Sequence, residues 1–137
     1  MRALVLDASV AIKCVIAEPG STRARELVAA ARPLIAPELL VAECANALWK
    51  RVHCGITTRA GAPQALAAVQ MIAATLLSLS ELTPAAFALA LEYDHPIYDC
   101  YYLAAAIQHD ATLATADVRL FDLAQRAGLG DRAILVR

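Results

Sequence analysis

Strong charge of either sign is missing from this chain of 137 residues. Its twelve lysines and arginines stand against thirteen aspartates and glutamates, for a net charge of −1. A nearly neutral chain has no global field to draw in a polyanion, so any contact with RNA or DNA must rest on local patches. Long apolar runs are missing too. The longest, Ala65 to Leu77, is broken by Gln70 and is too short to span a bilayer. Asp7 cuts the opening ALVL run before it reaches the length of a secretory signal, so a cytoplasmic location without membrane contact is expected. The four cysteines, Cys14, Cys44, Cys54 and Cys100, form no CxxC pair. That lack argues against a zinc site and for small buried hydrophobes in a reducing compartment. No repeat, low-complexity segment or linker divides the chain, and its length suits one domain, 1–137, around one core.

What is abundant is apolar. Hydrophobic residues make up 60% of the chain, many of them alanine, which favours helix. The excess over one small core also suggests a covered association face, to which the predicted helices 38–53 and 58–76 contribute most.

Strand and helix signals alternate. Ala3–Leu6 reads as a short buried strand, followed by a helix that Asp7 or Ser9 caps. Pro19-Gly20-Ser21 is a turn, and Thr22 to Ala31 an amphipathic helix with Arg23, Arg25, Glu26 and Arg32 outward. Leu34–Ala36 is a second strand, and a helix from about Glu38 to His53 stops before Gly55. Thr57-Thr58 opens a helix reaching about Leu76, and Leu77–Leu79 forms a third strand. Thr83-Pro84 has the pattern of a cap followed by a first-turn proline, for a helix ending at Tyr93. Tyr98-Asp99 opens a helix to about His109, Ala111–Ala114 is a fourth strand, Asp117 to Ala127 a helix, and Ala133–Val136 the last strand. Such alternation predicts a parallel sheet with helices on both faces. Sites in open sheets of this kind form beyond the carboxyl ends of the strands.

Four acids fall in or beside apolar segments: Asp7 after the first strand, Glu43 inside ELLVAECANALW, Asp99 in PIYDCYYLAAA and Asp117 in LATAD. A carboxylate among apolar neighbours is costly unless something cationic pairs with it. Capping alone would account for Asp7, Asp99 or Asp117 taken singly, and a surface Glu–Lys stripe for Glu43. Together, on elements the fold can converge, they suggest a site for Mg²⁺ or Mn²⁺, which take hard oxygen ligands. Asn46, Ala47 and Lys50 share the helical face of Glu43.

In order and spacing, VLDASVAIK (5–13), APELLVAECANAL (36–48), HPIYDCYYLAAA (95–106) and LATADVRL (113–120) resemble the PIN-domain nucleases, specifically the VapC-type toxins of bacterial toxin–antitoxin pairs. The resemblance spans nearly the whole chain. It implies a three-layer α/β/α fold around a central parallel sheet flanked by helices. It implies Mg²⁺- or Mn²⁺-dependent cleavage of structured RNA, transfer or ribosomal, with growth arrest until a VapB-type antitoxin binds, and a two-fold homodimer. Asp7, Glu43, Asp99 and Asp117 match the family's acidic quartet, while Cys14 stands where many relatives carry tryptophan. Asp7 and Asp99 are the expected primary metal ligands, with Glu43 and Asp117 binding directly, through water or to a second ion. Ser9, Asn46 and Thr115 are expected to hold carboxylates in orientation.

Lys50 and Arg51 are the candidate RNA-backbone contacts. His53, His95 and His109, near helix ends or in a turn, show no sign of a catalytic base, and Glu18 reads as a turn acid before Pro19. Trp49, Tyr98, Tyr101 and Tyr102 read as core or interface rather than base-stacking groups. Two other enzyme and regulatory classes place an Asp after a first strand. A haloacid-dehalogenase-like phosphatase needs a second Asp two residues on, where this chain has Ser9. A response-regulator receiver needs adjacent acids near the first strand and an Asp after the third. A PIN fold kept for binding alone would have no need of all four acids.

Overall fold

The computed structural model describes residues 2–30, 32–73 and 75–137. Five strands alternate with helices: β1 (Leu4–Leu6), α1 (Ala8–Val15), α2 (Ser21–Ala29), β2 (Leu34–Pro37), α3 (Leu39–His53), α4 (Ala62–Ile72), β3 (Thr75–Leu77), α5 (Leu79–Tyr93), α6 (Ile97–Gln108), β4 (Thr112–Thr115), α7 (Val118–Arg126) and β5 (Ala133–Leu135). All pairings are parallel and the strand order is β3-β2-β1-β4-β5.

Every residue of β1, β2 and β4 is buried, as expected of parallel strands covered on both sides. Alternation along β1 divides the core. Leu4 and Leu6 pack with Ala24 and Leu27 of α2, whereas Val5 packs with Leu103 and Ala106 of α6. Ala104, Ala105 and Ala106 let α6 lie close to the sheet, where larger side chains would hold it off. The result is the three-layer α/β/α arrangement. The chain leaves β1 toward β2 on one side and returns to β4 on the other. The carboxyl ends of β1 and β4 therefore flank the point where strand order reverses, the usual place for a site in such sheets.

Some boundaries differ from expectation. Thr57-Thr58 does not open α4. The Thr58 hydroxyl instead accepts from the Gly61 amide at 2.9 Å in a turn, and the helix begins at Ala62 with Pro63 in its first turn. That helix ends at Ile72 rather than Leu76, and Ala74 lies outside the described residues. β3 is accordingly Thr75–Leu77, not Leu77–Leu79. It is an edge strand with exposed positions, so its apolar pattern is a weak guide.

Thr83-Pro84 is not a helix start either. α5 begins at Leu79, because Leu82 and Ala86 both face the core and draw the helix back past the proline. The Thr83 hydroxyl donates to the Leu79 carbonyl at 2.6 Å. α2 ends at Ala29, and Ala31, its expected end, lies outside the described residues. Arg23, Arg25 and Glu26 are exposed as expected, while Arg32 lies beyond the helix and is half-buried. Cys44 and Cys100 are buried, but Cys54 caps α3 from an exposed position, and all four thiols are free. Among the described residues no helix is long and apolar enough to cross a membrane.

Candidate active site

Asp7 follows β1 directly and serves the local fold first. Its Oδ1 accepts the Val10 amide at 3.1 Å, capping α1 as its sequence position predicts. Ser9 donates to the same oxygen at 2.5 Å, and Thr115, the last residue of β4, donates to Oδ2. Ser9 and Thr115, expected to orient carboxylates, both bond Asp7. Ser9 also accepts the Ala116 amide at 2.8 Å and Thr115 the Asp117 amide at 2.9 Å, so the β1 and β4 ends are tied by one network. Asp7 is 5% exposed, and among the described residues it has no cationic partner. Burial pushes its pKa from 3.8 up to about 6, against the lowering effect of its three hydrogen bonds, and the charge of Asp117 adds to the rise.

Asp117 caps α7 through the Arg119 amide at 2.9 Å, with the Arg119 side chain 3.8 Å away. Glu43 projects from α3, where its Oε1 accepts the Tyr102 hydroxyl at 2.6 Å. Burial raises the Glu43 pKa, the Tyr102 bond opposes that, and the charges of Asp99 and Asp117 add to it. Asp99 does not cap α6, whose cap position is Pro96. It lies in the first turn, with Oδ2 2.8 Å from Nε2 of His95.

The fold therefore sets Asp117, beyond the end of β4, within electrostatic range of both Asp7 after β1 and Glu43 on α3, and Asp99 on α6 within range of Glu43. Like charges resist closer approach, and separate hydrogen bonds claim Asp7, Glu43 and Asp99. Among the described residues no group of three or more His, Cys, Asp or Glu side chains stands at metal-holding spacing. The donor chemistry nonetheless fits a hard divalent cation, being all carboxylate and hydroxyl oxygen around a buried acid without a cationic partner.

A groove of about 440 Å³ opens beside these acids, lined by Ser9 and Ile12 of α1, by Glu43, Asn46 and Lys50 of α3, and by Asp117. Asn46 lines the groove as its helical spacing predicts, but among the described residues it bonds none of the four carboxylates. Lys50 is exposed on the same wall. Arg51 also lines the groove but is held by Glu18, which accepts its Nη2 at 3.0 Å and its Nε at 3.3 Å and also takes Lys13 at 3.4 Å. Glu18 is thus a tie between α1 and α3 rather than an ordinary turn acid, a contact across 33 residues that no local pattern announces.

His95 and Tyr102 also do more at the site than expected. The four-residue spacing of His95 and Asp99 was the available signal for the first. Nothing local pointed to the second. Tyr102 is core as expected, whereas Trp49 and Tyr98 are exposed, Trp49 stacking on His53 with centroids 5.4 Å apart.

With this geometry in place, comparison with known proteins assigns the class. The PIN domain family model matches residues 4–126, and the chain belongs to that family. Among its relatives is Ribonuclease VapC3 of Pyrobaculum aerophilum, 33% identical over 119 residues that cover 85% of this chain and 91% of the relative. Two solved structures share the fold. PAE2754 from Pyrobaculum aerophilum superposes with a TM-score of 0.67 at 23% identity, over 89% of this chain and 79% of its own. VapBC2 from Rickettsia felis, bound to a DNA fragment from its promoter, gives 0.62 at 16% identity, over 97% and 96%.

Proposed function

We propose that the chain, acting as one PIN domain over 1–137, is a Mg²⁺- or Mn²⁺-dependent endoribonuclease and the toxin of a cytoplasmic toxin–antitoxin pair. The observation that carries this reading is the run of electrostatic neighbours at the switch point of the sheet, Asp7 with Asp117, and Glu43 with both Asp117 and Asp99. Its relative's name as a VapC ribonuclease supports it. A bound divalent ion would neutralise the phosphodiester and lower the pKa of water toward neutrality. Asp7 and Asp99 would hold it, with Glu43 and Asp117 completing the oxygen set. Ser9 and Thr115 keep both oxygens of Asp7 in fixed directions, and His95 holds Oδ2 of Asp99. Lys50 offers a charge to the RNA backbone along the groove. Arg51 can do so only by leaving Glu18. The purified protein should cut structured RNA with added Mn²⁺ and stop with excess EDTA; equal cleavage in EDTA would exclude the metal chemistry.

The resemblance also implies a VapB-type antitoxin. The groove between α1 and α3 is acidic on its Glu43–Asp117 side, so an antitoxin Arg or Lys would find a carboxylate partner there. An apolar cleft of about 340 Å³ on the other side of α3, lined by Leu48, Trp49, Val52 and Leu66, suits an apolar segment of the same partner. In a co-purified complex, replacing that basic residue with alanine should restore nuclease activity. Retained inhibition, with crosslinks far from Asp7 and Glu43, would refute this mode of inhibition.

A homodimer is the remaining part of the proposal. Trp49 and Met71 are exposed on the expected α3–α4 side, and Phe87, Leu91 and Tyr98 are exposed apolar side chains of α5 and α6. Light scattering of the free protein should give twice the chain mass of 14.5 kDa. Whichever of Met71→Lys and Leu91→Lys yields a monomer identifies the surface; a monomeric wild type at micromolar concentration would contradict pairing.

A further inference from the structure

Three of the four acids are held by groups close by in sequence or strand. Ser9, Val10 and Thr115 hold Asp7, His95 holds Asp99, and the α7 amide of Arg119 holds Asp117. Glu43 is different. Its own helix offers Asn46 and Lys50, and among the described residues neither bonds it. Its holder comes from α6, 59 residues away: the Tyr102 hydroxyl, at 2.6 Å from Oε1. We propose that Tyr102 is a positioning residue, whose hydroxyl sets the orientation of Glu43 at the acidic centre and links it to the helix that carries Asp99. This inference rests on the metal-dependent reading above and adds a residue to it.

Packing alone does not explain a tyrosine at this position. The side chain is 1% exposed, and phenylalanine would fill the same volume without burying a hydroxyl that must then be satisfied. The hydroxyl is spent on a carboxylate that faces the groove, not on a nearby carbonyl. Tyr102 lies three residues after Asp99, one helical turn along the same face of α6. Its position therefore couples Glu43 on α3 to the element that presents Asp99. Burial and the adjacent Glu43 charge push the phenol pKa far up, so the group remains a hydrogen-bond donor throughout the working pH range. A hydrogen bond from such a donor engages Oε1 and leaves Oε2 as the oxygen available for a ligand.

The test is Tyr102→Phe in the intact chain, read by calorimetric titration with Mn²⁺ in the absence of RNA and by steady-state cleavage. Loss of an outer partner of a metal-binding group typically weakens metal affinity or activity by about 10- to 100-fold. We expect a Mn²⁺ dissociation constant raised by about tenfold or more, a lower kcat, and an unchanged KM for RNA. A role through Glu43 also requires non-additivity: Y102F added to Glu43→Gln should change Mn²⁺ affinity no further. Equal Mn²⁺ affinity in wild type and Y102F overturns the proposal, as does a loss that persists at full size in the E43Q background.

Should Y102F alone fail to fold while the E43Q/Y102F pair folds, the hydroxyl is shown to serve the Glu43 charge, as proposed. If both fail to fold, it serves the core and the proposal falls. A wild type that cuts RNA equally well in EDTA and binds no Mn²⁺ would instead remove the metal-dependent reading itself, a separable outcome.

Discussion

Asp7→Asn and Asp99→Asn should each reduce RNA cleavage by more than about 100-fold, beyond the usual cost of losing an outer partner of a metal ligand. Both changes keep the shape of the side chain and remove its charge. In Asp7→Asn the amide oxygen can still accept from Val10 and Ser9, and the Thr115 hydroxyl can turn to accept from the amide nitrogen, so α1 keeps its cap. In Asp99→Asn the contact with His95 survives in either ring tautomer. What disappears is the capacity to hold a divalent ion against a phosphodiester. Circular dichroism spectra should match wild type while cleavage of structured RNA in Mn²⁺ is lost, and expression in cells should no longer arrest growth. Wild-type-level cleavage by both variants would refute the assignment of the centre.

Much of this site is legible because the chain places its acids at punctuation points of the fold. Asp7 stands where an apolar run stops, and the end of a buried parallel strand is readable from LVL alone. Asp117 follows another such run by two residues. Ser9 lies two residues from Asp7, so its bond is local in sequence, whereas Thr115 lies two residues from Asp117 yet bonds Asp7 across 108 residues. Helical spacing puts Asn46 on the Glu43 face, where it lines the groove, yet spacing does not show that Tyr102, from a distant helix, takes the bond to Glu43. The Glu18–Arg51 tie escaped for the same reason, since ion pairs between elements depend on how helices cross. Boundary errors followed local rules that tertiary packing overrode. Thr83-Pro84 carries a sound capping pattern, but burying Leu82 outweighs it. β3 was misplaced because an exposed edge strand has little periodicity to read.

The same buried carboxylate makes a second large effect predictable. Metal-free protein should lose stability as pH rises from about 4 to about 6.5, and Asp7 should account for most of the loss. The folded state keeps the Asp7 proton up to about pH 6, whereas the unfolded chain releases it near 3.8. The folded pKa is the higher, so the contribution of this group is full below the unfolded value and declines as pH climbs through the folded one. Above that range the native state carries a charged, buried carboxylate, without a cationic partner among the described residues, at a cost of about 3 kcal/mol. Glu43 is shifted in the same direction and adds to the trend. For a chain of this size the Asp7 cost corresponds to a fall in melting temperature of roughly 10 °C. Asp7→Asn should flatten the profile, so that the gap between variant and wild type widens steadily across this pH range. Millimolar Mn²⁺ or Mg²⁺ at pH 7.5 should return much of the loss in wild type alone, because the ion binds the folded state and supplies the missing positive charge. Thermal melts by differential scanning fluorimetry, wild type against Asp7→Asn with and without metal, decide the matter. A gap that stays constant with pH would show that Asp7 does not titrate as its burial demands. A wild type whose melting temperature ignores both metals at pH 7.5 would show that the carboxylates hold no cation.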